Sequence, residues 1–142
     1  MPVYVDTGAF IALVWARDRA HEVVRRAFDD VRRAGHRLVT SDPVIGETAT
    51  RLRYDAGLTV TREFADIIRD STRVGQLVVR ESDQMLRQAA FDVMTRYEGL
   101  QLSYADAVGA AVAREIGASV MLALDSDFRV IGFDLLPETW QG

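Results

Sequence analysis

With 142 residues, 49% of them hydrophobic and 27% charged, the chain is long enough and apolar enough for a single domain, residues 1–142, with a real core. It has no cysteine and all 17 of its basic residues are Arg, which excludes disulfides, thiolate nucleophiles, zinc–thiolate sites, a phosphate-loop or Schiff-base Lys and a Ser-Lys dyad. The net charge of −4 argues against a generic nucleic-acid coat.

Residues 2–6, PVYVD, read as a short buried strand. Thr7 is expected to cap a helix over 8–16, GAFIALVWA, which is apolar nearly all round and therefore buried. Asp18 starts a second helix, to about Ala34, in which Val23, Val24, Ala27, Phe28 and Val31 recur at helical spacing before Gly35. His36 to Thr40 is short and strand-like. Ser41-Asp42-Pro43 is a strong helix start, a capping residue with Pro in the first turn, and that helix runs to near Gly57. A further helix covers about 61–72, Leu77 to Arg80 is a short strand, and Ser82 and Asp83 open a helix to about Tyr97. Ser103 opens the next helix, to about Ile116, closed by Gly117. Residues 119–124, SVMLAL, read as a buried strand, and Val130 to Phe133 as a weaker final one. This alternation predicts an α/β fold, a three-layer α/β/α domain with a mostly parallel central sheet. No apolar run reaches the ~18 residues needed to span a membrane. MPVYVDTGAF lacks the basic stretch and cleavage pattern of a signal peptide, so a cytoplasmic location is expected.

Four acids fall just past a predicted strand or at the head of a helix: Asp6, Glu47, Asp106 and Asp125. In a parallel sheet, sites lie beyond the carboxyl ends of the strands. Asp6 ends the first strand, Asp125 follows the 119–124 strand, and Glu47 lies one turn into the helix after the strand ending at Thr40. The helix that begins near Asp106 runs ~20 Å away from that edge at 1.5 Å per residue, and the following strand returns by ~20 Å. All four are therefore expected at one edge. Gathered carboxylates repel one another, and their common use is to hold a hard cation such as Mg²⁺ or Mn²⁺. Each acid also has a plain structural reading. Ser103 and Asp106 can form a capping box, Glu47 can pair with Arg51, Asp6 can cap the next helix, and Asp125 and Asp127 can be turn residues.

These segments resemble the PIN-domain family, and within it the VapC-type toxin ribonucleases of bacterial toxin–antitoxin pairs. VYVDTGAFIAL resembles the family's opening strand, Asp-Ser/Thr and apolar helix. TSDPVIGETATRLR is similar to its helix with a Glu, LSYADAVGAAVARE to its helix of small residues opened by an Asp, and LALDSDF to its Asp-x-x-Phe pattern. The resemblance covers the whole chain and implies an α/β/α endoribonuclease dependent on Mg²⁺ or Mn²⁺. It makes Asp6, Glu47, Asp106 and Asp125 the catalytic and metal-site acids, with Asp127 a neighbour. It also implies an RNA substrate, a small antitoxin partner and a homodimer. Ala123 departs from a Ser or Thr common in the family, and Gly8 from a Ser or Ala.

The implied chemistry is attack by a metal-activated water, leaving 5′-phosphate and 3′-hydroxyl ends. Thr7 is a candidate to hydrogen-bond a phosphate or a metal-bound water. His21 and His36, the only histidines, are read as structural or surface residues. Arg51, Arg53 and Arg62 are read first as a solvated helix face and second as RNA-steering cations. Trp15, Phe128 and Trp140 are read first as packing residues and second as base-stacking ones. The alternative functions are a catalytically weak nucleic-acid-binding module and a structure-specific DNA nuclease.

Overall fold

The computed structural model describes residues 1–138, so Trp140 lies outside the described residues. Among them the order is β1 (Pro2–Val5), α1 (Thr7–Val14), α2 (His21–Arg33), β2 (Arg37–Ser41), α3 (Asp42–Asp55), α4 (Leu58–Arg73), β3 (Leu77–Arg80), α5 (Gln84–Arg96), α6 (Tyr104–Glu115), β4 (Val120–Leu122), α7 (Asp127–Ile131) and β5 (Asp134–Leu136). The five strands form one sheet in the order β3-β2-β1-β4-β5, and every pairing is parallel. Helices cover the sheet to give three α/β/α layers, as the alternation predicts.

β1 is central, pairing Tyr4 with Val39 of β2 on one side and with Met121 of β4 on the other. Val3, Tyr4 and Val5 are accordingly all buried, as expected of a strand covered on both faces. α1 buries Thr7 and the run Ala9 to Ala12, as its all-round apolar sequence predicts. α6 is buried from Ala107 to Ala113 because its residues are small. A Cβ at Gly109 would stand 2.9 Å from the Tyr4 ring, so the bare backbone is what allows helix and sheet to approach. The Tyr4 hydroxyl, buried beneath α6, bonds to Ser41 Oγ at 2.9 Å. Burial raises the Tyr4 pKa strongly, so this hydroxyl stays neutral.

Four local expectations change. Thr7 does not cap α1 but is its first residue, with Asp6 in the capping position. α2 starts at His21, because Asp18 Oδ1 instead accepts the Ala20 amide at 2.8 Å and closes a turn before it. Ser41 precedes α3 without a side-chain cap, since its hydroxyl is engaged by Tyr4. The final strand is not Val130 to Phe133. Residues Asp127–Ile131 are the short helix α7, which buries Phe128 and Ile131, and the strand follows at Asp134–Leu136. No helix among the described residues is long and apolar enough to cross a membrane.

Candidate active site

Because every strand is parallel, the carboxyl ends of β1, β2 and β4 share one edge. An open cleft of about 450 Å³ lies there, lined by Asp6, Glu47, Asp106 and Asp125, with Asp18 and Arg51 beside them. The sequence argument therefore holds for all four acids, including Asp106, whose place depended on a helix and a strand of matched length.

Asp6 is the deepest. It is 4% exposed, and its amide donates to Leu122 O at 2.9 Å, tying the end of β1 to the end of β4. Its side chain makes no capping bond to α1, and Oδ1 is buried without a hydrogen-bond partner among the described residues. A carboxylate placed this way is costly to ionise. Burial raises its pKa from 3.8 to about 7, and the charge of Asp106 adds to the rise. The Thr7 amide opposes it, while Glu47 and Asp125 push the same way.

Asp106 sits in the first turn of α6 and takes part in a full capping box with Ser103. The capping-box reading holds for this residue, and the same carboxylate also lines the cleft. Burial raises its pKa, opposed by the bonds to Ser103, with Asp125 and Glu47 adding to the rise. Asp125 Oδ1 accepts the Asp127 amide at 2.9 Å, an Asx turn that fixes the loop after β4. Asp125 is nonetheless exposed and lines the cleft, whereas Asp127 does not. Glu47 reaches the cleft from α3, and no ion pair with Arg51 forms among the described residues.

The donors suit a hard cation. All four carboxylates offer oxygen, and the partnerless Asp6 Oδ1 is a buried acceptor that a cation would satisfy. Thr7 Oγ1 is a second buried atom without a partner at the same edge. Among the described residues no three acidic or imidazole groups stand close enough to hold an ion as they are. Mutual repulsion favours such a spread set of charges.

Other candidates separate cleanly. His21 Nδ1 bonds to Ala12 O at 2.7 Å, and neither histidine lines the cleft. Phe128 is fully buried and Trp15 packs against the core, so both are packing residues. Arg53 and Arg62 are exposed and do not line the cleft. Ala123 is a buried core residue, and Gly8 lines the cleft with room for a methyl group, 3.7 Å from Leu124 Cβ. Asp18 is the cleft acid that sequence reading missed. Its position in a loop between Arg17 and Arg19 looks like a helix start and carries no signal of a site.

The family model described as the PIN domain matches residues 3–134. A curated relative, the 23S rRNA-specific endonuclease VapC20 of Mycobacterium tuberculosis, is 31% identical over 138 residues, covering 96% of this chain and 99% of the relative. The crystal structure of M. tuberculosis VapC20, described as a Sarcin-Ricin loop cleaving toxin, aligns with a TM-score of 0.80 at 30% identity. That alignment covers 92% of this chain and 95% of the other. VapBC2 from Rickettsia felis, solved bound to a DNA fragment from their promoter, aligns with a TM-score of 0.71 at 14% identity, over 95% of this chain and 97% of that one. At that identity the likeness is one of fold.

Proposed function

This chain belongs to the PIN-domain family, and from that premise we propose that it is a metal-dependent endoribonuclease, the toxin of a toxin–antitoxin pair. The observation that carries this reading is that four carboxylates line one cleft, the deepest of them Asp6 with its buried, partnerless Oδ1. Asp6, Asp106 and Asp125 would hold Mg²⁺ or Mn²⁺, with Glu47 completing the set as ligand or as orienter of water. When bound, such an ion supplies Lewis acidity and a water acidic enough to give hydroxide near neutral pH.

The chain's own residues prepare the site. The Asp6–Leu122 bond fixes the deepest carboxylate at the meeting point of two strands. Ser103 holds the Asp106 carboxylate through its amide, and the Asx turn holds that of Asp125. Near neutral pH Asp6 carries a proton for part of the time, and it must release that proton to serve as a ligand. Thr7 Oγ1, buried beside Asp6 without a partner among the described residues, would have a donor to offer a water or ligand that reaches the floor of the cleft. With no histidine lining the cleft, a route through the RNA 2′-hydroxyl lacks its usual acid and base. Attack by water then leaves 5′-phosphate and 3′-hydroxyl ends.

The identity to a 23S rRNA-specific endonuclease makes 23S rRNA the first substrate to try. A small antitoxin and a second copy of the chain are the partners that the VapC-type resemblance supports. The test is cleavage of end-labelled 23S rRNA fragments and mixed RNAs by the purified protein with Mg²⁺, Mn²⁺ or EDTA, beside Asp6→Asn. Metal-dependent cleavage with 5′-phosphate ends, absent in the variant, supports the proposal. Cleavage that persists in EDTA, or equally in the variant, overturns the mechanism.

A further inference from the structure

The face of α3 that carries Glu47 continues beyond the cleft. Residues four and seven positions on share a helix face, so Arg51 and Tyr54 follow Glu47 in line. They stand ~6 Å and ~10.5 Å along the axis at 1.5 Å per residue. Leu58, at the start of α4, comes next in sequence and is 49% exposed. Arg51 is the one cation lining the cleft among the described residues, against the five carboxylates of Asp6, Asp18, Glu47, Asp106 and Asp125. It makes no hydrogen bond or ion pair with any described residue. An exposed guanidinium beside five carboxylates that joins none of them keeps its whole donor fork for a ligand. Tyr54 is 82% exposed and offers a flat apolar face three residues further on.

A planar fork suited to phosphate, followed by an aromatic ring suited to a base, is the chemistry of a single-stranded nucleic acid. An apolar peptide would find an acid, a cation and a phenol here. We infer that this stripe of α3 is the track along which RNA enters the cleft, Arg51 gripping a phosphate beside the scissile one and Tyr54 stacking on a neighbouring base. The inference rests on the nuclease reading of the cleft and adds to it the residues that hold the strand.

The experiment measures two quantities on the intact protein and on Arg51→Ala, Arg51→Lys, Tyr54→Ala, Tyr54→Phe and a control at an exposed Arg of α5 outside the cleft lining, Arg87→Ala. The first is the affinity for a fluorescein-labelled single-stranded RNA at several salt concentrations, and the second is KM and kcat for RNA cleavage. Arg51→Ala should weaken RNA binding about five- to fifty-fold and lower the salt slope by about 0.7, the share of one phosphate. Tyr54→Ala should weaken binding about five-fold or more, with Tyr54→Phe restoring most of it. KM should rise while kcat changes little, and Arg87→Ala should match the wild type. Cleavage by the wild type with unchanged binding in the Arg51 and Tyr54 variants overturns the track alone. Arg51-dependent binding without any cleavage overturns the nuclease reading and leaves the track. No RNA binding by the wild type overturns both. A change in oligomeric mass in Tyr54→Ala, with RNA affinity intact, assigns the stripe to a protein partner instead.

Discussion

Ser103 and Asp106 hold each other: the Asp106 amide donates to Ser103 Oγ at 3.0 Å, and the Ser103 amide donates to Asp106 Oδ2 at 3.0 Å. The same carboxylate lines the acidic cleft. One oxygen therefore starts the helix, and the group as a whole faces the cleft. This double use has a measurable consequence.

Ser103→Ala should lower stability by about 1 kcal/mol, the usual cost of losing a helix cap, which for a domain of this size is a fall in Tm of about 2–6 °C. It should also loosen Asp106 and reduce kcat. Thermal unfolding and cleavage kinetics check both. A stability loss with full activity would mean that Asp106 does not depend on its cap for orientation.

The burial of Asp6 sets a pH dependence of definite sign. Its folded pKa of about 7 exceeds the ordinary 3.8, so the folded state binds this proton more tightly than the unfolded chain does. The stability from this group is complete below about pH 4 and is lost as pH rises through about 7. Asp83 and Glu115 pull the other way at lower pH, because hydrogen bonds lower both pKa values, from the Leu86 amide to Asp83 and from Arg80 to Glu115. Asp6→Asn isolates the effect. In EDTA, urea unfolding from pH 5 to 8 should show wild-type stability falling relative to the variant. Parallel curves would place Asp6 in a more solvated setting than its burial implies.

A cation that neutralises the cleft should stabilise the fold without any RNA present. At a hundred times its dissociation constant a ligand adds about 2.7 kcal/mol, so Mg²⁺ or Mn²⁺ should raise Tm by several degrees. The rise should be larger at pH 8 than at pH 6, because Asp6 must lose its proton first. Asp6→Asn should abolish most of it. An equal Tm with and without metal at both pH values would count against a cation site here.

Two glycines should respond in opposite directions. The atoms nearest to a methyl group at Gly8 belong to Leu124, at 3.7 Å or more, an ordinary contact, and Gly8 lies inside α1, so Gly8→Ala should stabilise by about 0.5–1 kcal/mol. At Gly109 a methyl group would meet Tyr4 at 2.9 Å and displace the ring from Ser41. Gly109→Ala should therefore cost about 1–3 kcal/mol, the range for overpacking a core. Denaturant titrations of both variants, with Tyr4→Phe as a partner for Gly109→Ala, separate steric strain from the lost hydrogen bond.

Much of this molecule is legible in its sequence because the strongest signals are periodic. The apolar run of α1, the spacing in α2, the Pro in the first turn of α3 and the Ser103-x-x-Asp106 box each state a local rule that the fold obeys. Gly35 and Gly117, at positive φ after their helices, do the same. The error at Val130 to Phe133 arose where β-branched and aromatic residues cluster. The helical signal there was the three-residue spacing of Phe128 and Ile131, which alone are buried in α7, while Val130 is 65% exposed. The four acids could be placed because parallel topology sends every strand end to one edge. Asp18 could not, since its approach depends on the path of a loop between α1 and α2. Tyr4 and Ser41 meet across 37 positions, and no local pattern announces that bond.

The pairing of β1 with β4 joins Tyr4 to Met121 and Val5 to Leu122. A chain emerging from a ribosome therefore carries Asp6 first and waits more than a hundred residues for the strand that anchors it. No shorter fragment can assemble the cleft, because Asp106 and Asp125 are both contributed late. Contacts of such long range also form slowly. The four carboxylates can therefore line one cleft only after synthesis has passed residue 125 and β4 has paired with β1.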